Sequence, residues 1–283
     1  MYNKKLIVVT GGAGFIGSHL CERLVKDGHK VISLDNYFTG SRDNHVAGVD
    51  YRDGHTKDIE KHVPETPDLI YHLGEYSRVE ISLSEPALVW DLNKDGTFGV
   101  VEFWRKKKSK LVYAGSSTKF GDGGLGRVQT PYAWTKASNT ELVQNYGRWY
   151  GLPYAITYFY NAYGPRERPA SDYGTLIETF RRQRAAGDPL TVVAPGTQKR
   201  NFTHVDDIVE GLVLVGERGE GDEFGLGAAE SYPVLEVAKM FGGPIQMLPE
   251  RQGNRMDSAL DTTKAQALGW VPRHTLKEYI AAA

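Results

Sequence analysis

Apolar positions in the first 160 residues switch between two periods. Residues 4–10 form a short apolar run that meets glycines, and HLCERLVKDGHK then carries apolar residues at helical spacing up to a stop at Gly28. VISLD, residues 31–35, predicts a second strand, and the runs at 69–73, 111–114 and 154–160 predict three more. Residues 88–107 and 132–150 have helical spacing between them. Such alternation predicts a parallel sheet covered by helices on both faces, with chemistry at the carboxyl ends of the strands.

Beyond Asn161 the periodicity weakens. Proline and glycine recur in YGPRERP, GDPLTVVAPG and FGGPIQMLPE, which leaves room for only short elements and predicts a smaller, irregular lobe. HVDDIVEGLVLVGE, from His204, reads as a helix long enough to pack back on the sheet. The expected division is therefore a sheet domain of residues 1–162, rejoined by about 198–228, and a smaller mixed α/β lobe of 163–197 and 229–283. No internal repeat or low-complexity tract interrupts this pattern.

A chain of 283 residues can bury a full core, and its formal charge of −1 provides no global attraction to nucleic acid or to an anionic membrane. The basic run Arg105 to Lys110 follows a helical stretch and precedes LVYAG, so it reads as the cationic last turn of a helix, as does the run Arg181 to Arg184. No nucleic-acid partner is expected. Cys21 is the only cysteine, which excludes an intrachain disulfide and fits a reducing compartment. LIVVT is too short for a signal peptide or membrane span, so a soluble cytoplasmic protein without a membrane partner is expected. The eight histidines show no paired ligand spacing, and no metal site is expected.

TGGAGFIGSHL places Gly11, Gly14 and Gly17 at a strand-to-helix turn, where absent side chains let the backbone approach a pyrophosphate at a helix N-terminus. Asp35, at the end of the second predicted strand, suits the ribose hydroxyls of adenosine and repels a 2′-phosphate. NAD is the expected cofactor, although Arg42 keeps NADP as an alternative. AGSSTKFGDGGLGRVQTPYAWTK, residues 114–136, brings Ser116 to the end of the strand LVYAG and puts Tyr132 four positions before Lys136. That spacing alone also fits an ordinary helix. On a doubly wound sheet, however, the three groups converge on the nicotinamide, where the ammonium and the positive ring favour the Tyr132 phenolate and make it a base.

The chain resembles the extended short-chain dehydrogenase/reductases, in particular the nucleotide-sugar epimerases and dehydratases related to UDP-glucose 4-epimerase. TGGAGFIGSHL, LDNYFTG, YHLG, LNKDGT, GSSTKFG, PYAWTK, YFYNAYGP, RNFTHVDD and LDTTKAQALGW carry the resemblance in order. It implies a Rossmann-type fold with a substrate-binding lobe, and NAD contacts at Phe15, Ile16, Asn36, His55, Thr56, Leu73, Gly74, Glu75, Asn93 and Ala114 beside those already named. It implies that Ser116, Tyr132 and Lys136 are catalytic, with Lys136 also holding the nicotinamide ribose. For a UDP-hexose it implies Asn161, Arg200 and Arg251 at the diphosphate, Thr191 and Val193 at the base, and Val79, Ser116 and Ser117 at the remaining substrate contacts. A homodimer built on the helices of residues 88–107 and 132–150 is implied too.

Dehydratases of this family carry Asp-Glu where Ser117 and Thr118 stand, and decarboxylases of UDP-glucuronate commonly carry glutamate at Thr118. Without these acids, C4 epimerisation through a 4-keto sugar is the expected reaction. A dehydratase or 4-keto reductase on the same scaffold is the alternative, and a non-catalytic NAD-binding regulator is a remote one. His55 replaces an aspartate, Tyr158 an arginine and Glu75 a small residue. Glu75 reads as a solvent-facing loop residue, with an extra acid or base as the other reading. GDGGLG shortens the loop before Tyr132 and leaves the site more open.

Overall fold

In a computed structural model, which describes residues 4–79, 81–168, 174–250 and 260–282 (with 119 and 121–125 as backbone only), the apolar runs become the centre of one parallel sheet. β1 (Leu6–Thr10) feeds α1 (Phe15–Lys26), β2 (Lys30–Asp35), β3 (Val49–Asp53), the short α2 (Ile59–His62) and β4 (Leu69–His72). After α3 (Pro86–Val89) come a π-helical turn (Trp90–Asp95), α4 (Gly96–Lys107), β5 (Lys110–Ala114), a 3-10 stretch (Ser117–Val128), α5 (Pro131–Tyr150) and β6 (Tyr154–Phe159). The chain continues with β7 (Ala162–Tyr163), α6 (Leu176–Ala186), β8 (Leu190–Val193), β9 (Lys199–Asn201) and β10 (Thr203–His204). α7 (Val205–Arg218) and β11 (Gly221–Leu226) return to the main sheet, before β12 (Ser231–Pro233), α8 (Val234–Phe241), β13 (Ile245–Leu248), α9 (Thr263–Ala267) and α10 (Leu276–Ala282).

The main sheet has the order β11-β6-β5-β4-β1-β2-β3, parallel throughout. The chain runs outward from β1 to β3 and then reverses to β4 on the other flank of β1, which opens a crevice at the carboxyl ends of β1 and β4. Leu20, Leu24, Ile208, Leu212 and Trp270 fill one face of the sheet, and Val100, Trp104, Val143 and Tyr146 the other. A separate cluster of Phe180, Val192, Phe202 and Val237 joins α6, β8 and α8.

Both edge strands escape the periodicity argument. β3 is VDYRD, with Arg52 paired to Asp50 and Glu65, and β11 opens on GDE with a register shift before Phe224. Polar residues and irregularities of this kind are how an edge avoids further pairing, and they erase the apolar signal. The single helix expected over 88–107 is interrupted by the π turn, where Asn93 is drawn wholly inside. The basic run does end α4: Lys108 takes a left-handed conformation and its N–H reaches the Trp104 carbonyl at 2.8 Å. Residues 117–128 wind into 3-10 turns. No helix among the described residues is long and apolar enough to cross a membrane.

Candidate active site

The glycine turn leaves β1 with Gly11 at φ +74°, its N–H bonded to the Leu34 carbonyl at 2.9 Å. A Cβ on Gly17 would lie 2.1 Å from the Gly11 carbonyl oxygen, and one on Gly11 would lie 2.9 Å from the Gly74 backbone. Only glycine allows α1 to start so close to the turn and the loops after β1 and β4 to touch. The result is a bare backbone cradle at a helix N-terminus, the form a dinucleotide pyrophosphate requires.

Asp35 ends β2 and accepts from the Ala13 N–H at 2.9 Å and the Tyr37 N–H at 2.8 Å. Burial raises its pKa, and those two hydrogen bonds oppose the rise. Arg42, the residue that kept NADP open, is instead engaged by Asp53 at 3.0 Å and lies over the Tyr37 ring. The cradle and the carboxylate together fit NAD.

β5 delivers Ser116 and α5 delivers Tyr132 and Lys136. Thr130 caps α5 through its side chain and Pro131 occupies its first turn, which fixes the helix start one residue before the tyrosine. The Tyr132 hydroxyl donates to the Ser116 Oγ at 3.2 Å, and Ser116 Oγ also lies 2.9 Å from Thr118 Oγ1. The Lys136 ammonium donates to the Ala114 carbonyl and to Glu75.

Glu75 corrects the sequence reading. It is not a solvent-facing loop residue: its side chain is 3% exposed and forms an ion pair with Lys136. Oε1 accepts from Thr97 at 2.8 Å, Asn139 at 2.9 Å and Tyr113 at 3.1 Å. Burial pushes its carboxyl up, but the Lys136 charge with the hydrogen bonds from Lys136 and Thr97 outweighs this and holds it below the ordinary value. The loop fails to reach solvent because Asn93, from the π turn, accepts from the next residue's N–H, Tyr76, at 2.7 Å and pins it inward.

A cavity of about 930 Å³ joins these groups. Its wall includes Gly11, Gly14, Phe15, Ile16, Gly17, Asp35, Asn36, Leu73, Gly74, Glu75, Ala114, Tyr132 and Lys136 at one end, and Asn161, Thr191, Val193 and Arg200 at the other. Ser116 is not on this wall and reaches it through the Tyr132 hydroxyl. His55 faces Asp91 at 3.1 Å, Thr56 is buried, Asn93 ties the Tyr76 loop to Thr135, and Val79 and Ser117 stand off the wall. Arg251 lies outside the described residues. Tyr158 is buried and donates to Asp222 at 2.6 Å.

Several wall residues carry no motif signal. Arg78, Arg168 and Glu167 are among them, and so is Gln198. Desolvation pushes the Glu167 carboxyl up to about 8, with the Gly164 N–H opposing. The Gln198 amide donates to the Val193 carbonyl at 3.1 Å, which orients its Oε1; that oxygen is buried and has no hydrogen-bond partner among the described residues. Glu167 and Arg168 lie in the YGPRERP segment, whose proline and glycine mark it only as irregular.

A family model described as the NAD dependent epimerase/dehydratase family matches residues 7–227. UDP-glucuronic acid decarboxylase 6 of Arabidopsis thaliana is 30% identical over 300 residues, covering 96% of this chain and 85% of that protein. The crystal structure of UDP-glucose 4-epimerase with UDP-glucose from Thermotoga maritima superposes with a TM-score of 0.89 at 27% identity, over 97% of this chain and 96% of the other. UDP-glucose 4-epimerase of Thermus thermophilus in complex with NAD gives 0.88 at 28% identity, with the same coverage.

Proposed function

This chain belongs to the NAD-dependent epimerase/dehydratase family, and on that premise we propose that it epimerises a nucleotide-sugar, a UDP-hexose, at C4 through a transient 4-keto sugar. The observation that carries this reading is the Tyr132 hydroxyl bonded to Ser116 beside Lys136, with serine and threonine, not acids, at 117 and 118.

When bound, NAD supplies the two-electron acceptor that takes the C4 hydrogen as hydride and gives it back. Tyr132 accepts the proton of the C4 hydroxyl as the hydride departs, and returns it when hydride is restored to the opposite face. Ser116 hydrogen-bonds the reacting oxygen. Lys136 spends two ammonium donors on Glu75 and Ala114 and leaves one N–H for the nicotinamide ribose. Asn161 and Arg200 hold the diphosphate, while Thr191 and Val193 frame the base. The Gln198 oxygen suits a base that offers an N–H, as uracil does. A firm grip on the nucleotide leaves the hexose loose enough to present both faces of its ketone.

Incubation with UDP-hexoses and catalytic NAD tests the reaction: a product of equal mass with an inverted C4 proton supports it, and one lighter by a water makes the enzyme a dehydratase. We also propose a homodimer through α4 and α5. Trp90 and Trp134 stack on the surface with ring centroids 5.7 Å apart and are 50% and 42% exposed. Sedimentation at twice the monomer mass supports that, and a monomer at micromolar concentration contradicts it.

A further inference from the structure

The Glu75–Lys136 pair is sealed between β4, β5, α4 and α5, with both side chains at most 6% exposed. Every Glu75 contact described above is to a hydrogen-bond donor, and the Lys136 ammonium also lies 4.6 Å from the centroid of the Tyr113 ring. Burying two charges is costly, and a well-packed apolar pair serves stability as well. This pair instead forms part of the cavity wall next to Tyr132. Among the described residues, the other titratable groups facing Glu75 are the same in wild type and variant, and of them Lys94 carries a charge. Tyr113 is held neutral by burial. His72, pushed down to about 4 by desolvation, is neutral, and Lys94 donates to Ser138 and Asn139.

We infer that Glu75 is a positioning residue that fixes the Lys136 ammonium and balances its charge, so that the site favours the oxidised, positively charged form of the cofactor over the reduced one and leaves that ring's charge to favour the Tyr132 phenolate. This rests on the nicotinamide position proposed above. The oxidised ring carries one positive charge that the reduced ring lacks. A lone ammonium beside it would disfavour the oxidised form, whereas a neutral pair does not. At the effective dielectric of protein sites, one buried charge at this range shifts the balance roughly tenfold or more. A cofactor returned to its oxidised form after each cycle is what a redox-neutral reaction needs.

The test requires no sugar. Dissociation constants of NAD and NADH are measured by calorimetry for the wild-type protein and Glu75→Gln, which keeps the shape and removes the charge. The ratio of the NAD constant to the NADH constant should rise roughly tenfold, equivalent to about 30 mV for a two-electron couple. Glu75→Ala, which admits water to solvate the ammonium, should move the ratio the same way and serves if the first variant does not fold. Glu75→Gln combined with Lys136→Met should restore the wild-type ratio.

A merely structural Glu75 would lower the melting temperature or weaken both constants alike. An unchanged ratio in a folded variant, or equal weakening of both forms, overturns the inference even if the sugar reaction stands. A ratio that responds in a protein that turns over no nucleotide-sugar supports the inference and removes the proposed reaction.

Discussion

The Tyr132 hydroxyl and the Ser116 hydroxyl are joined across 3.2 Å, although sixteen residues separate them in the chain. The strand end and the helix start meet because both sit at the carboxyl edge of one parallel sheet. Tyr132→Phe removes the hydroxyl proposed to take the substrate proton, and Ser116→Ala removes its hydrogen-bond partner. Turnover should fall by about 10²–10⁴ for the tyrosine variant and somewhat less for the serine variant. NAD affinity, measured by calorimetry, should stay within about twofold in both.

Gly17 is a steric requirement of the turn. Its α-hydrogen faces the Gly11 carbonyl where a methyl would sit at 2.1 Å. Gly17→Ala must push α1 away from the turn and spoil the pyrophosphate cradle. NAD binding should weaken by more than about tenfold, with a loss of about 1–3 kcal/mol in stability by denaturant titration. Gly28→Ala is the control: it has open space but a φ of +90°, so it should lower stability without changing NAD affinity.

Glu167 predicts a pH dependence of stability. Its carboxyl is pushed up to about 8 in the folded protein, first by desolvation. A group of this kind costs nothing below its unfolded value near 4.3, where it is protonated in both states. The cost grows as pH rises and is complete above about 8, where the folded protein must hold a desolvated carboxylate. Glu167→Gln should therefore gain in melting temperature relative to wild type between pH 5 and 8.5, by about 2 °C or more. An equal difference at both pH values would show that the carboxyl is not strained by burial.

Gln198 predicts base selectivity. Removing its orphan oxygen by Gln198→Leu should weaken UDP binding by about tenfold, the worth of one buried hydrogen bond, and leave ADP binding unchanged. Equal loss for both nucleotides would place the base elsewhere.

The central strands and the turn were legible because their determinants are local: apolar runs, glycines and an acid at the end of β2. Tyr132, Lys136 and Ser116 were legible as a spacing, but their convergence needed the sheet. β3 and β11 were hidden by the polar residues that protect edges, and the π turn by an asparagine whose reason to turn inward lies in the Tyr76 loop. Glu75 was misread for the same reason. A glutamate after YHLG resembles a surface residue until Lys136, 61 positions later, is placed against it. Arg78 and Gln198 reach the cavity from segments without periodicity, and Glu167 from the irregular YGPRERP segment, so no pattern of spacing announced them.

The most direct measurement is proton NMR of wild-type protein with UDP-hexoses and catalytic NAD. The account predicts interconversion of C4 epimers without loss of mass, without net NADH, and with turnover lowered by about 10²–10⁴ in Tyr132→Phe. A dehydrated product, or undiminished turnover by Tyr132→Phe, would contradict it.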